Sequence, residues 1–264
     1  MRVISKTQIH YAVIWAVANQ KGGVGKTVTT VNLAAALSAM GKRVLVVDLD
    51  PQGSASNNLL SGGPGRDGVY GVMRGDIGAK EAVQKDQCAG IDVLAADEDL
   101  VAVEVELVGI VGREAVLAGR LEGIRRLYDY VVIDSPPTMG FLAINALVAA
   151  DRVLVPIQCE YMALEGLTRL MATLDRVAAL KGLERIKRMY VLTMYDQRTN
   201  LSSDVVREVR EHLGEEVAKT MIPRAIKVAE APGFGRTVLD HDPWGAASLA
   251  YRVLAEEVAN VSRS

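Results

Sequence analysis

Residues 13–30 read V-I-W-A-V-A-N-Q-K-G-G-V-G-K-T-V-T-T, and this stretch decides the fold. The apolar run 13–18 predicts a strand, the glycines predict a tight turn, and the segment from Gly25 onward predicts a helix. Strand, glycine loop and helix in this order form the context of a phosphate-binding loop. Glycines let successive backbone N–H groups converge on an anion, and the helix N-terminus adds its positive dipole end. Lys26 would then reach the β- and γ-phosphates, and the Thr27 hydroxyl would hold Mg²⁺.

The loop departs from the common phosphate-binding motif at its first position. The pattern G-x-x-x-x-G-K-[ST] requires glycine where Gln20 stands, and a second lysine, Lys21, opens the loop instead. The segment K-G-G-V-G-K-T, 21–27, resembles the deviant Walker A box of the ParA/Soj/MinD ATPases. That resemblance implies that Lys21 crosses a dimer interface to the nucleotide of the other subunit. Lys26 would neutralise phosphate charge from within its own subunit, whereas Lys21 could do so only if two loops face each other.

The remainder of the chain alternates apolar strands with helical patterns. Apolar runs predict further strands at 43–48, 130–134, 152–157 and 188–194. Helical patterns lie between them, at 99–108, 113–126, 141–149, 163–181 and 202–213. This alternation predicts an α/β fold with a doubly wound, mostly parallel sheet that helices bury on both faces. With no linker or repeat, we expect a flexible tail, 1–11, and a single P-loop NTPase domain of the deviant Walker A type, 12–264.

An acid ends the predicted strand 130–134, which reads Y-V-V-I-D. Hydrophobic residues ending in an acid, downstream of a phosphate-binding loop, fit a Walker B element. Asp134 would hold Mg²⁺ through water, because Mg²⁺ keeps much of its hydration shell.

Two more acids lie in D-L-D-P-Q-G, 48–53, at the end of the second predicted strand. Strand alternation sends Asp48 and Asp50 to the same side. The segment resembles the D-x-D-P-Q-G motif of the same family, which implies that Asp50 polarises the attacking water and that Asp48 supports the metal and phosphate site. The catalytic candidates are Lys21, Lys26, Asp50 and Asp48, and the metal candidates are Thr27, Asp134 and Asp48.

The second half of the chain extends the resemblance to the chromosomal ParA/Soj branch. M-Y-D-Q-R-T-N-L-S (194–202), I-P-R (222–224) and E-A-P (230–232) are similar to segments of that branch, as are D-S-P-P and Q-C-E-Y-M-A-L-E-G. The resemblance implies ATP and Mg²⁺ as cofactors and places Pro223 and Arg224 near the base. The candidate ATP-binding residues are Lys21, Gly22, Gly23, Val24, Gly25, Lys26, Thr27, Val28, Pro223 and Arg224.

The same resemblance implies an ATP-dependent homodimer that binds double-stranded DNA without sequence preference and has a ParB-like activator. Its DNA-binding candidates are Arg198, Arg224 and Lys227. The composition gives little support for DNA binding, because residues 195–236 hold seven basic and seven acidic side chains. DNA binding would require the basic side chains to gather on one face and to be doubled by dimerisation.

Composition limits the remaining possibilities. The chain has 264 residues, is 50% hydrophobic and 23% charged, and carries a net charge of −2, which is typical of a globular protein with a substantial core. The longest uncharged stretch, 135–150, is too short to cross a bilayer, and the first eleven residues lack the apolar core of a secretory signal. We therefore expect a cytoplasmic protein with no stable membrane insertion, and the resemblance implies that it is nucleoid-associated.

Two alternatives use the same ATPase core. A membrane-recruited regulator similar to MinD would need a terminal amphipathic helix with basic flanks, but 244–261 carries Glu256 and Glu257 and fits a helix docked on the core better. A cluster-carrying ATPase similar to the nitrogenase iron protein would need converging cysteines, and Cys88 and Cys159 lie in no such motif.

Overall fold

A single seven-stranded sheet organises the computed structural model, which describes residues 11–60, 63, 68–85, 87–161, 163–164 and 166–262. The candidate tail lies outside these residues except for Tyr11. The strands are β1 (Val13–Val17), β2 (Val44–Asp48), β3 (Asp92–Leu94), β4 (Tyr130–Asp134), β5 (Arg152–Gln158), β6 (Lys187–Tyr195) and β7 (Val217–Pro223). Their order is β3-β2-β4-β1-β5-β6-β7, and every neighbouring pair is parallel, which confirms the predicted fold class.

Helices connect the strands in the manner of a doubly wound fold. The α-helices are α1 (Lys26–Ala39), α2 (Ser54–Leu59), α3 (Val69–Arg74), α4 (Ala79–Ala82), α5 (Val103–Glu106), α6 (Val116–Glu122), α7 (Phe141–Ala149), α8 (Leu167–Leu180), α9 (Asn200–Leu213), α10 (Ile226–Glu230), α11 (Val238–His241) and α12 (Ala246–Ser262). Short 3₁₀ turns cover Cys88–Gly90, Glu98–Ala102, Arg113–Ala115, Gly214–Glu216 and Ala231–Phe234.

Successive residues of the strands supply two separate cores. Ile14 and Ala16 of β1 face a core shared with α3 and α6 to α9, whereas Trp15 and Val17 face a core shared with α1, α2, α11 and α12. Both faces of the sheet are therefore buried, which explains why its strands are continuous apolar runs without polar alternation.

Two strands and several helix ends were not predicted from the sequence. β3 has only three residues, too few for a periodic pattern, and β7 is an edge strand with an exposed Lys219. The predicted helices 99–108 and 113–126 are shorter α-helices that begin with a 3₁₀ turn. The predicted helix 163–181 begins at Leu167, and α9 begins at Asn200, two residues earlier than predicted.

The strand order puts the glycine loop at the centre of one edge of the sheet. The chain leaves β1 for β2 on one side and later reaches β5 on the other side of β1. Loops at the carboxyl ends of β1, β2 and β4 consequently meet, and such a crevice is where open α/β sheets bind ligands.

Candidate functional site

The loop after β1 adopts a conformation that requires glycine. Gly23 has φ of 75° and Gly25 has φ of 89°, both in the left-handed region that side chains with a Cβ disfavour. Gly25 is the residue before α1, and its carbonyl accepts a 2.8 Å hydrogen bond from the N–H of Thr29. The loop therefore ends on the N-terminus of a fourteen-residue helix, the arrangement that binds phosphate groups.

A side chain from β6 anchors the middle of this loop. Thr193 is buried, and its Oγ1 donates a 2.9 Å hydrogen bond to the carbonyl of Val24. Sequence reasoning missed this residue, because nothing in β6 marks one threonine as the partner of a loop so far away in the chain.

The two lysines of the loop differ in environment. Lys26 is buried, and its Nζ donates to the carbonyl of Lys21 at 3.4 Å. Burial lowers the pKa of Lys26, although the charges of Asp134 and Asp50 act in the opposite direction. The side chain of Lys21 is exposed. One ammonium group therefore lies inside the site, and the other is accessible from outside.

The acid at the end of β4 is held by two hydroxyl groups of α1. Thr27 Oγ1 donates to Asp134 Oδ2 at 2.7 Å, and Thr30 Oγ1 donates to Asp134 Oδ1 at 3.0 Å. Thr30 was not among the predicted residues, although it lies one helical turn after Lys26. The predicted metal pair, Thr27 and Asp134, is thus brought together from positions far apart in the chain.

A second buried carboxylate lies beside the first, because Asp48 and Asp134 occupy paired positions of β2 and β4. Asp48 Oδ2 accepts from the N–H and the Oγ of Ser56, both at 2.7 Å, and Oδ1 accepts from the N–H of Asp50 at 3.2 Å. Burial raises the pKa of both carboxyl groups, and their mutual repulsion adds to the shift for Asp134. Both oxygens of Asp48 accept hydrogen bonds from residues that follow β2, so this acid holds the start of the next segment in place, and its role as a metal ligand stays a prediction.

Asp50 differs from its neighbour in being partly exposed to solvent. Its Oδ1 accepts from the N–H of Gln52 at 3.0 Å, and its charge acts on both Lys26 and Asp134. A carboxylate that is close to the loop lysine and also open to water has the placement that a water-orienting group needs.

The donor atoms at this edge fit Mg²⁺. This cation prefers hard oxygen ligands and keeps several waters, and the Thr27 hydroxyl lies 2.7 Å from the Asp134 carboxylate. Two adjacent buried carboxylates also supply negative charge that a cation would compensate.

A mainly apolar cavity of about 420 Å³ adjoins the loop. Pro223 and Arg224, the predicted base-side residues, line it together with Gly25 and Val28. The other lining residues are Gln158, Glu160, Thr193, Met194, Ile222, Ala225, Val228, Ala229 and Tyr251. Concave apolar walls with a few polar groups are typical of small-molecule sites, and this one starts where the phosphate loop ends.

The three candidate DNA-binding side chains each have an acidic partner in the subunit. Arg198 Nη2 lies 2.7 Å from Asp196 Oδ2, and hydrogen bonds from Arg198 lower the pKa of Asp196 to about 2. Arg224 pairs with Glu160, and Lys227 pairs with Glu230, each at 2.8 Å. The side chains are 83%, 56% and 54% exposed, so all three face solvent as ion pairs.

Replacing Asp134 by asparagine should stabilise the nucleotide-free fold. A carboxyl whose pKa is raised by folding contributes stability that is present below its unfolded pKa and is lost as the pH rises through its folded pKa. We expect Asp134→Asn to raise the melting temperature at pH 8 by at least about 2–4 °C, the shift that 1 kcal/mol produces in a domain of this size. Thermal unfolding of the wild type and the variant from pH 5 to pH 8, without nucleotide, measures this difference in melting temperature.

The hydroxyl groups around this position can adapt to the amide. Thr30 Oγ1 also lies 3.1 Å from the Lys26 carbonyl, so it can donate there and accept from the new amide group. The advantage of the variant should shrink toward pH 5, and an equal destabilisation at every pH would contradict the argument. Asp175→Asn, at an exposed position of α8, serves as the control.

The last helix packs on the sheet along its whole length. α12 buries Ala247, Tyr251, Leu254 and Val258 against the core that contains α1. In the part of the chain that the structure describes, no helix has the length and apolar character needed to cross a bilayer.

The chain is similar to known proteins over most of its length. A family model described as an AAA domain matches residues 12–186. The chain is 47% identical to the chromosome partitioning protein ParA of Caulobacter vibrioides over 95% of both chains. It is 48% identical to the chromosome-partitioning ATPase Soj of Thermus thermophilus over 92% of this chain and 94% of that one.

A solved structure extends the agreement to the whole fold. Cobyrinic acid a,c-diamide synthase from Mycobacterium smegmatis, solved with bound ADP and magnesium, superposes with a TM-score of 0.84 at 34% identity and covers 96% of both chains. The loop geometry, the parallel sheet and the two ParA and Soj relatives, each matched almost end to end, lead to one assignment. The chain belongs to the ParA/Soj family of chromosome-partitioning ATPases, within the ParA/MinD superfamily.

Proposed function

We propose that the protein is a Mg²⁺-dependent ATPase that dimerises on ATP, binds DNA without sequence preference in that state, and drives chromosome or plasmid partitioning with a ParB-like partner. The observation that carries the proposal is the contrast between the two loop lysines. Lys26 is buried in the site, whereas Lys21 extends into solvent from the same loop. An exposed cation at the mouth of a phosphate site can neutralise phosphate charge in a second copy of that site.

Each residue of the site has a role in phosphoryl transfer. The N–H groups of the glycine loop and the Lys26 ammonium bind the phosphates, and the cavity beside Pro223 and Arg224 takes the base. Thr27, and Asp134 through water, would hold Mg²⁺, which would supply positive charge to neutralise the phosphates. Asp50 orients the attacking water, and Asp48 keeps the turn that carries Asp50 in place through the 3.2 Å hydrogen bond to its N–H.

The γ-phosphate would couple chemistry to assembly. ATP presents a phosphate that Lys21 of a second subunit can reach, and hydrolysis removes it, so the dimer forms with ATP and separates after turnover. A ParB-like partner that favours the reactive arrangement would accelerate hydrolysis.

DNA binding needs exposed positive charge, but within a single subunit the candidate basic side chains are paired with acidic ones. Arg198, Arg224 and Lys227 are exposed but paired with acids, so phosphate groups must replace those acids as partners. Exposed ion pairs are weak, with typical worth of about 0–1 kcal/mol, so exchanging a carboxylate for a phosphate costs little. Dimerisation doubles the number of such contacts and so favours DNA binding in the ATP state, which would keep this protein on the nucleoid.

DNA affinity measured with ATP, with ADP and without nucleotide tests the proposal. We expect tight binding to a random-sequence duplex only with ATP and Mg²⁺, with steep salt dependence. Arg198→Glu should make the negative slope of log K against log salt shallower by about 1.8, because each lost phosphate contact contributes about −0.9 and a dimer loses two.

The control for this measurement is Arg120→Glu, which makes the same change of charge at an exposed position of α6. Sedimentation of each variant with ATP reports dimerisation separately from DNA binding. Equal DNA affinity in all three nucleotide states would refute the ATP-switched DNA binding, whereas a monomer in every state would refute the dimer.

A further inference from the structure

Asn19, the residue two positions before the first lysine of the loop, joins that loop to a neighbouring strand. Its side chain is buried, with the residue only 6% exposed. Nδ2 donates to the carbonyl of Pro156 in β5 at 2.7 Å, and Oδ1 accepts from the N–H of Lys21 at 3.0 Å. Both ends of one amide are therefore used, one on the sheet and one on the loop.

The backbone of Lys21 is held by side chains at both of its polar atoms. Its N–H donates to Asn19, and its carbonyl accepts from the Lys26 ammonium at 3.4 Å. A phosphate group bound by the Lys26 ammonium would compete with this carbonyl for its protons. The hydrogen bond from Lys21 to Asn19 involves no atom of Lys26.

We propose that Asn19 is a positioning residue for Lys21. It fixes the backbone of Lys21, while the ammonium group of Lys21 extends toward the nucleotide of the other subunit. The inference rests on the proposed function, in which Lys21 acts across a dimer. A long lysine side chain loses much conformational freedom when it is immobilised, and a fixed backbone reduces the number of geometries it must search. Without Asn19, Lys21 would still be present, but its ammonium group would reach the nucleotide of the other subunit less often.

The side-chain amide is suited to this place because it donates and accepts at once. Aspartate would put a second oxygen against the Pro156 carbonyl, and a serine hydroxyl has one proton and a shorter reach. Leucine or alanine would leave the N–H of Lys21 without this acceptor.

Steady-state ATP hydrolysis in a double-mutant cycle tests the inference. We expect Asn19→Ala to lower kcat about 2- to 12-fold, the range for one lost hydrogen bond, with ATP affinity of the monomer changed less than about twofold. The double variant of Asn19→Ala and Lys21→Ala should turn over ATP at the rate of Lys21→Ala alone, because a positioning residue has no effect once its target is removed.

Asn145 provides a matched control. It is also a buried asparagine that bridges backbone groups, accepting from the N–H of Leu117 and donating to the carbonyl of Arg113, both at 3.1 Å. Asn145→Ala should lower the melting temperature without changing kcat of the folded enzyme. If Asn19→Ala unfolds, Asn19→Ser is used in the same cycle, and hydrogen exchange of the Lys21 N–H should be faster in that variant than in the wild type.

The outcomes separate this inference from the proposed function. If the double variant is slower than Lys21→Ala by the factor that Asn19→Ala alone produces, Asn19 acts independently of Lys21 and the inference is wrong while the proposed function stands. If Lys21→Ala hydrolyses ATP at the wild-type rate, the proposed function itself fails. Unchanged kcat in Asn19→Ala or Asn19→Ser also overturns the inference.

Discussion

Replacing Asp50 by alanine is expected to lower the rate of ATP hydrolysis by about 10²- to 10⁴-fold, the usual contribution of a group that assists proton transfer from the nucleophile. The proposed ATP-dependent dimer should persist and become longer-lived, because the proposed ligands of the phosphates and the metal are other residues. Asp50 engages its own turn through the N–H of Gln52 and is partly exposed, so its loss removes no buried partner of the core. Single-turnover hydrolysis and gel filtration with ATP measure the two effects on one sample.

The control for Asp50→Ala is Asp175→Ala on α8, which removes an exposed carboxylate away from the loop. Hydrolysis at the wild-type rate by Asp50→Ala would assign the water-orienting role to another group. Loss of the dimer together with loss of hydrolysis would instead show that Asp50 supports nucleotide binding.

Replacing Lys26 by methionine is expected to weaken ATP binding by at least about 30-fold, because truncating one member of a buried, hydrogen-bonded charge pair costs roughly 2–5 kcal/mol. Methionine keeps an unbranched apolar stem, so the packing of the buried side chain is largely retained. The dimer and the DNA complex should accordingly need an ATP concentration higher by at least the same factor. Titration calorimetry with ATP and Mg²⁺ measures the affinity, and thermal unfolding confirms the fold.

Lys80→Met on α4 is the matched control, since Lys80 is exposed and lies outside the site. ATP affinity of Lys26→Met within threefold of the wild type would show that the loop backbone alone binds the phosphates. A second comparison uses Lys21→Met, which should bind ATP as a monomer but fail to dimerise.

The glycine loop could be predicted from the sequence because its conformation is a local property. The left-handed backbone at Gly23 and Gly25 follows from glycines at fixed offsets, and the helix that begins at Lys26 follows from the residues after them. The buried strands were predictable for a similar reason, since a strand covered on both faces is an unbroken apolar run. The short β3 and the edge strand β7 gave no such signal.

The side chains that hold the loop could not be predicted in this way. Asn19 lies beside the motif, but its partner Pro156 is on another strand, and Thr193 reaches Val24 from β6. Thr30 and Ser56 likewise acquire their roles from the carboxylates that the sheet brings to them. Each pairing depends on strand order and register, which no short pattern specifies.

The candidate DNA-binding residues also separate what the sequence predicts from what the tertiary structure decides. The sequence gives equal numbers of acidic and basic residues in 195–236 but does not tell which of them pair. In the folded chain Arg224 finds Glu160, which lies outside that segment, and Arg198 finds Asp196 within it. How much positive charge is available to bind a DNA phosphate therefore depends on which ion pairs form in the folded chain.

The sequence alone determined the phosphate loop and the parallel α/β sheet, because each depends on residues close together in the chain whose backbone preferences and hydrophobic periodicity act locally. The ParA/Soj family was indicated by the resemblance of motifs along the whole chain. Only the tertiary structure decided that Asp48 lies beside Asp134, that Thr193 and Asn19 anchor the loop, and that the candidate DNA-binding cations are ion-paired. These contacts join residues far apart in sequence, and their energies depend on burial and distance, which exist only once the strands have taken their order in the sheet.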